Sequence, residues 1–545
     1  MTHARRRILC LFPRYTRSFG TFHHAYEFFP DTVAFMPPQG ILTVAAYLPR
    51  EWEVRFLDEN VRPAGDDDYR WCDAVLTTGM HVQREHLERI AARAHAFGKP
   101  AVLGGPSVSA APQYHPAFDI LHLGELGDAT DALIARLDAS VERPPAQEIF
   151  QTKERVALDD FPIPAYSQID LAHYFVANIQ WSSGCPFSCD FCDIPALYGR
   201  NPRLKSPARI LRELDVILAK QPLGAVYFVD DNFIGNKKAA RELLPHLVEW
   251  QKRNGYRLRF GAECTLNLAQ DEELLGLLRE ANFTDIFFGI ESPDAETLKA
   301  IDKAQNVRMP LLEAVAILNS FGIELHAGII LGMDPDGEDA DDKILRFIER
   351  ANIPLLAVNV IYALPKTALW DRLEKEGRLI PEARVDESNV AFKLPAATVL
   401  AQFRRVVTEA FAPPAIYRRY RYNVEHTYPN RLSLPLARFG LSWKVARVAL
   451  FSLFAIFVKI GLRGHYRREF WPLAMDLVRT GRLDHLIYVG SMAHHLISYA
   501  DDVVKGDVKA CFYTEKVVPY APPRTAGKLV SLFLPEKRGA DARVH

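Results

Sequence analysis

Short apolar runs alternate with stretches whose apolar residues recur at helical spacing, and they do so in two separate series along the chain. The first series has strand candidates at Ile8 to Phe12, Trp52 to Leu57, Ala74 to Thr78, Ala101 to Leu103 and Ile120 to Leu123, with helical stretches such as Gln83 to Phe97 between them. Such alternation predicts a parallel sheet wrapped by helices. The runs end in polar turns, Asp58-Glu59-Asn60, Gly104-Gly105-Pro106-Ser107 and Gly124-Glu125. Ligands of open α/β sheets sit at the carboxyl ends of the strands, where these turns fall. Residues 1–140 therefore read as a Rossmann-like ligand-binding domain.

Residues 141–170 carry Pro144, Pro145, Pro162 and Pro164 with little periodicity and read as a linker. The second series has strand candidates at Ala177 to Trp181, Ala225 to Val229, Arg257 to Gly261, Asp285 to Gly289, Leu325 to Leu331 and Leu356 to Ala363, with helices such as Pro207 to Lys220 and Asp271 to Glu280. A closed eight-unit barrel takes about 250 residues. Six units over 171–375 therefore predict a partial (β/α)6 barrel. From 376 to 545 the alternation stops and the chain reads as mainly helical, so the fold class is α/β with a helical C-terminal domain.

Composition adds three constraints. Lys plus Arg number 66 against 67 Asp plus Glu, a balance that points to no polyanionic partner, and no nucleic-acid module is visible. The segment 418–468 departs from that balance, with eleven basic residues and one acid, Glu425. Seven cysteines are sparse for 545 residues, and three of them fall within eight positions, which suits a reduced compartment and a metal site. The N-terminus lacks the apolar core of a signal peptide, so a cytoplasmic protein is expected.

The cluster is Cys185-Pro-Phe-Ser-Cys189-Asp-Phe-Cys192, directly after the first strand of the second series. Three thiolates on one loop can wrap one inorganic centre. Structural zinc takes four ligands, and the one distant candidate for a fourth is Cys264. A [4Fe-4S] cluster held by three cysteines leaves one iron open for a substrate or cofactor.

A Cys-x3-Cys-x2-Cys loop after the first strand, with Phe191 before the last cysteine, resembles the signature of the radical S-adenosylmethionine (SAM) superfamily. The resemblance implies that Cys185, Cys189 and Cys192 hold a [4Fe-4S] cluster whose open iron chelates SAM, which is cleaved to methionine and a 5'-deoxyadenosyl radical. By the same resemblance, Phe191, Asp230, Asp231, Asn232, Glu263, Gly289, Glu291, Ser292 and Gly328 contact SAM. Pairing this barrel with an N-terminal α/β domain resembles the cobalamin-binding branch. It implies cobalamin contacts at Asp58, Glu59, Gly104, Gly105, Ser107, Gly124 and Glu125. The Asp-x-His-x-x-Gly ligand motif of many cobalamin proteins is absent, and His81, after the third strand, reads as a structural histidine.

Longer stretches, among them Cys192-Asp-Ile-Pro-Ala-Leu-Tyr-Gly-Arg-Asn-Pro-Arg-Leu-Lys, Phe228-Val-Asp-Asp-Asn-Phe-Ile-Gly-Asn and Ala493-His-His-Leu-Ile, are similar to hopanoid C2-methylases over nearly the whole chain. That resemblance implies methylation of an unactivated carbon of a lipid, with a reductant such as flavodoxin or ferredoxin. A cyclase or oxidase on the same cofactors, and a non-catalytic iron-sulfur or zinc scaffold, are the alternatives. Trp443 to Ile460 is apolar, but its uncharged core, Val448 to Val458, is shorter than the roughly 20 residues that cross a bilayer. Lys444, Arg447, Ser452 and Lys459 fall on one helical stripe, leaving a broad apolar face. Such a helix lies on the inner face of a membrane, drawn by the basic segment 418–468, or else forms the core of a helical domain.

Overall fold

The computed structural model describes residues 5–221, 224–380, 388–434 and 443–508. Its described residues divide into two compact units, one formed by residues 5–15 and Gly40–Val156, the other by Thr16–Gln39 and the described residues between Ala157 and 508.

The first unit is built on six parallel strands, β1 (Arg7–Phe12), β2 (Glu53–Asp58), β3 (Ala74–Thr78), β4 (Ala101–Gly104), β5 (Ile120–Leu123) and β6 (Glu148–Gln151), in the order β2-β1-β3-β4-β5-β6. The central strands are uninterrupted apolar runs because helices cover both faces of a parallel sheet; Ile8 through Leu11 are fully buried. Strand β6 corrects the linker expected at 141–170. It is an edge strand reading Glu-Ile-Phe-Gln with Ile149 half exposed, and it pairs in parallel with β5 from Ile120↔Glu148 to Leu123↔Gln151. An edge strand need not be apolar, so its composition hid it. The order reverses between β1 and β3, which makes their carboxyl ends the switch point of the sheet.

The second unit carries β7 (Ala177–Ile179), a small antiparallel pair β8 (Ser182–Ser183) and β9 (Arg203–Leu204), then β10 (Gly224–Phe228), β11 (Leu258–Cys264), β12 (Phe283–Glu291), β13 (Glu324–Leu331) and β14 (Leu355–Val360). Six of these form one parallel sheet in the order β14-β13-β12-β11-β10-β7, a partial barrel whose two edges, β7 and β14, do not pair. Thr16–Gln39 spans that gap. Its turn Phe19–Thr21 packs on β14, while Ala34 and Phe35 accept hydrogen bonds from Phe175 N (2.9 Å) and Val176 N (3.1 Å), just before β7. The expected boundary at 375/376 is not a boundary in packing. One apolar core runs from Phe19 through the barrel to Val503, and helices Ala396–Ala410 and Leu483–Lys505 pack on each other, the first of them also on β14.

At the start of helix Pro207–Lys220, Lys205 Nζ lies 2.9 and 3.1 Å from the two oxygens of Glu213, with both side chains essentially inaccessible. Arg209 Nε adds a second donor to Glu213 at 3.1 Å. Removing one partner of such a pair strands a buried charge, at a cost of about 3–5 kcal/mol. Glu213→Ala is expected to lower the thermal midpoint accordingly, and a Lys205→Met/Glu213→Leu double variant to recover most of the loss. A Glu213→Ala protein that melts with the parent contradicts the pairing.

Candidate active site at the strand ends

The cysteine loop leaves the barrel at the carboxyl end of β7, and two adjacent carboxylates at the end of β10 fix its root. Asp230 accepts from Trp181 N at 2.8 Å and from Ser182 N; Asp231 accepts from Gly184 N at 2.7 Å. Asp230 is buried, and desolvation pushes its carboxyl up to about 7 despite those donors. Its geometry is that of a positioning residue turned back into the loop root. Asn232 is buried beside them, donating to Thr265 Oγ1 at 3.2 Å and lying 3.9 Å from Cys185 Sγ.

Cys185, Cys189 and Cys192 are unbridged and half buried, and burial raises each thiol. Thiolates around one tetrahedral zinc lie about 3.8 Å apart, from Zn–S bonds of about 2.3 Å. Two groups of side chains among the described residues bring their ligand atoms within 4.8 Å of one another, and the cysteines are in neither. The three stand together on one loop with no cysteine bridged to another. Cys264 lies buried in the barrel core at the end of β11.

Around the loop stand residues that the sequence does not single out. Lys303 Nζ is 2.5 Å from Glu291 Oε1 and lies 5.6 Å over the Phe191 ring; Gln305 Nε2 donates toward Cys189 Sγ at 3.5 Å. Lys303 keeps its charge because the attraction of Glu291 and Cys189 outweighs its desolvation. Asn306 Nδ2 donates to Gly289 O at 2.9 Å, across a bulge in β12 at Gly289–Glu291. A Cβ on Gly289 would fall 2.2 Å from Glu291 Oε1 and 2.6 Å from Lys303 Nζ, so the ion pair requires glycine there. Gly328, on the neighbouring strand, faces Glu291 Oε2 and the Phe287 ring, and Ser292 is buried just beyond the bulge. Glu263 differs from Asp230: it is open to solvent yet walled by protein, and that setting, with Asp231 and Asp230 nearby, lifts it to about 7.

In the first unit the expected residues share the carboxyl ends of β2, β4 and β5 but are unequally free. Asp58 Oδ1 is taken by its own turn, accepting from Asn60 N at 2.8 Å and Asn60 Nδ2 at 2.7 Å. Glu59 is buried with one oxygen lacking a partner, and desolvation lifts it to about 7. Glu125 pairs with Arg155 at 3.3 Å. Gly105 sits at φ +95° with Thr78 Oγ1 where a Cβ would be, and Gly124, at φ +97°, has Thr152 packed against the same space. Ser107 is fully buried, its Oγ 3.2 Å from His81 Nδ1 and 3.0 Å from His115 Nε2, so His81 is one end of a short polar chain.

Residues 179–348 match the radical SAM superfamily, and residues 367–508 match a domain of unknown function, DUF4070. The hopanoid C-2 methylase of Rhodopseudomonas palustris (strain TIE-1) is 50% identical over 518 residues, covering 95% of this chain and 98% of that protein. An uncharacterized methyltransferase of Synechocystis sp. is 34% identical, covering 91% of this chain and 92% of its own. Among solved structures, the cobalamin-dependent SAM radical enzyme OxsB, with aqua-cobalamin and SAM bound, aligns with a TM-score of 0.57 over 93% of this chain and 82% of its own, at 15% identity, a likeness of fold. With half of the aligned residues identical from end to end, the helical region included, the chain belongs to the hopanoid C-2 methylase family of the radical SAM superfamily.

Proposed function

We propose that this protein is a cobalamin-dependent radical SAM C-methyltransferase acting on a membrane lipid, with C-2 of a hopanoid as its target. The observation that carries the reading is the 50% identity to a hopanoid C-2 methylase across 98% of that relative. Cys185, Cys189 and Cys192, free and together on the loop after β7, would hold the cluster. Gly104, Gly105 and Gly124 stand at the ends of β4 and β5, where the resemblance seats cobalamin, and Glu59 offers a buried oxygen without a partner. When bound, the cluster supplies the electron that cleaves SAM and cobalamin carries the methyl group. The chain's own residues bind and orient: Lys303 and Glu291 present a fixed pair of opposite charges beside the cysteine loop, Glu263 offers a carboxylate to a cationic group, and Gly328 lets the Phe287 ring and Glu291 pack close to β13.

The helix Trp443–Ile456 and its continuation to Leu462 support contact with a lipid surface. Its polar stripe faces protein: Arg447 pairs with Asp31 at 2.7 Å, Ser452 Oγ donates to Phe28 O at 2.7 Å, and Lys459 pairs with Glu27. The side chain of Lys444 lies outside the described residues. The face left open is apolar, with Trp443 77%, Phe454 67% and Leu450 62% exposed. A soluble core helix has the reverse arrangement. The eleven-residue uncharged core understates this segment, since Val445–Leu462 has a mean hydropathy of 2.1 over 18 residues, long and apolar enough by those measures to cross a membrane. Its polar contacts with Glu27, Phe28 and Asp31 hold it along the protein, so we read it as lying on the membrane surface, next to a lipid substrate.

Three outcomes test this reading. Anaerobic reconstitution with iron, sulfide, cobalamin and a strong reductant, followed by methyl-labelled SAM and a hopanoid, is expected to give labelled methylhopanoid together with 5'-deoxyadenosine. Any one of Cys185→Ala, Cys189→Ala or Cys192→Ala should end both; 5'-deoxyadenosine without labelled lipid removes the substrate assignment.

Because Glu263 is protonated below about pH 7 and ionised above it, SAM affinity is expected to rise as pH increases through that value. Glu263→Gln should flatten the rise and weaken binding at pH 8 about tenfold, the worth of one charge-assisted hydrogen bond. Equilibrium dialysis of the cluster-loaded protein reads both, and an unchanged profile removes Glu263 from the SAM site.

The parent should float with anionic vesicles, and Leu450→Ser/Phe454→Ser/Phe457→Ser should not, while melting like the parent because these side chains are exposed. Equal flotation places the contact elsewhere.

A further inference from the structure

Away from the strand-end site, four histidines meet within the second unit. His23 and His24 come from the segment that spans the barrel gap; His494 and His495 come from helix Leu483–Lys505, which also presents Asp502 seven residues further on. The ring centroids of His23 and His24 are 4.2 Å apart, and His495 lies 5.3 Å from His23 and 6.0 Å from His24. The polar accounting of this cluster does not close. His24 Nε2 meets Asp502 Oδ2 at 2.8 Å, His495 Nε2 meets Phe19 O at 3.0 Å, and His494 Nδ1 meets the Tyr466 hydroxyl. Both ring nitrogens of His23, and Nδ1 of the fully buried His495, are inaccessible and have no hydrogen-bond partner. Three unsatisfied nitrogens in one spot are a cost that a folded chain rarely carries without a ligand.

We propose that His23, His24 and Asp502 bind one divalent transition-metal ion, and that the ion fastens the segment Thr16–Gln39 to helix Leu483–Lys505. One ligand atom from each residue already lies within 4.8 Å of the others. Two imidazoles and a carboxylate suit zinc, iron(II) or cobalt(II), and His495 Nδ1 is the neighbouring donor from which a fourth bond would come. Calcium and magnesium, which take oxygen ligands, do not fit. Ligand histidines must be neutral, and desolvation keeps His23 far below its ordinary value and His495 near 3. His24 is the exception: burial lowers it, but its bonds to Asp502 and Glu27 raise it by more.

A second triad shows what a structural cluster looks like by contrast. Asp285, Glu324 and His326 are as close together, but Arg431 lies 4.0 and 3.9 Å from the two carboxylates, and the Tyr428 and Tyr488 hydroxyls donate to Glu324. His326 Nε2 is also buried without a hydrogen-bond partner, but the acids it faces already have a cation and donors. The His23 nitrogens have none.

The test uses the full chain in two forms, cluster-loaded and with Cys185, Cys189 and Cys192 all replaced by Ala, each incubated with zinc and then gel-filtered. Both are expected to retain about one zinc per chain by elemental analysis, and cobalt(II) in its place should give visible bands of a four- or five-coordinate nitrogen–oxygen site. His23→Phe and Asp502→Asn should each bring zinc to background. His23→Phe should melt no lower than the metal-free parent, because it removes two unpaired nitrogens, and should lose the rise in melting temperature that zinc gives the parent. Zinc retention that survives both variants, or none in the parent, overturns the proposal, the latter leaving a buried water as the partner of His23. Neither result depends on methyl transfer, so the proposal stands or falls apart from the assigned reaction.

Discussion

Three backbone N–H groups bound by two adjacent carboxylates set the geometry on which the site depends. Trp181, Ser182 and Gly184 begin the cysteine loop, and Asp230 and Asp231 at the end of the neighbouring strand hold all three. The loop has little regular structure of its own, so without this clamp its thiols would have no defined distance from the strand ends. Loops that carry function are positioned by a rigid scaffold, and the scaffold here is the parallel register of β7 against β10, Phe228↔Ile179 among its pairs. On the far side of the loop, Asp190 N donates to Ile301 O and Leu369 N to Asp190 O, which ties the loop's middle to the segments after β12 and β14.

Much of this was legible in the sequence because parallel strands are buried on both faces. Ala74–Thr78 and Ile120–Leu123 coincide with the runs read from composition, and all six barrel strands lie where apolar runs occur. The cysteine loop was legible because three thiols in eight positions have few other uses. Legibility ended where the deciding quantity was burial or a distant contact. Asp230 reads as a site carboxylate, yet its oxygen faces backbone amides, and no pattern in the sequence separates it from Asp231. Lys303, twelve residues beyond Glu291, carries no local mark of its ion pair. β6 was hidden because an edge strand of four residues offers only Ile149 and Phe150 as an apolar run, and Thr16–Gln39 because it is made of turns without a period.

The same limit explains the C-terminal helix. Periodicity places Arg447, Ser452 and Lys459 on one stripe and the large apolar residues on another, and a soluble protein would be expected to bury the second. In the structure the first has partners in protein, Ser452 buried against Phe28 and the half-exposed Arg447 and Lys459 paired with Asp31 and Glu27, from a segment more than 400 residues away in sequence. Amphipathicity gives two faces and leaves open which one meets protein; only the complementary charges decide it.

An open barrel with two unpaired edge strands needs something across the gap, and here the cover and its anchor come from opposite ends of the chain. Thr16–Gln39 lies between β14 and β7, held by pairing at Ala34 and Phe35 and by the stacking of Phe19 on Phe411 at 4.5 Å. On its outer side Glu27 and Asp31 bind the helix whose other face is apolar and exposed. One helix therefore has the barrel's cover on one side and an open apolar face on the other. The histidines lie in the same segment, between Phe19 at the β14 end and Ala34 at the β7 end, so the strength of the cover and the seating of the helix are set by the same few residues.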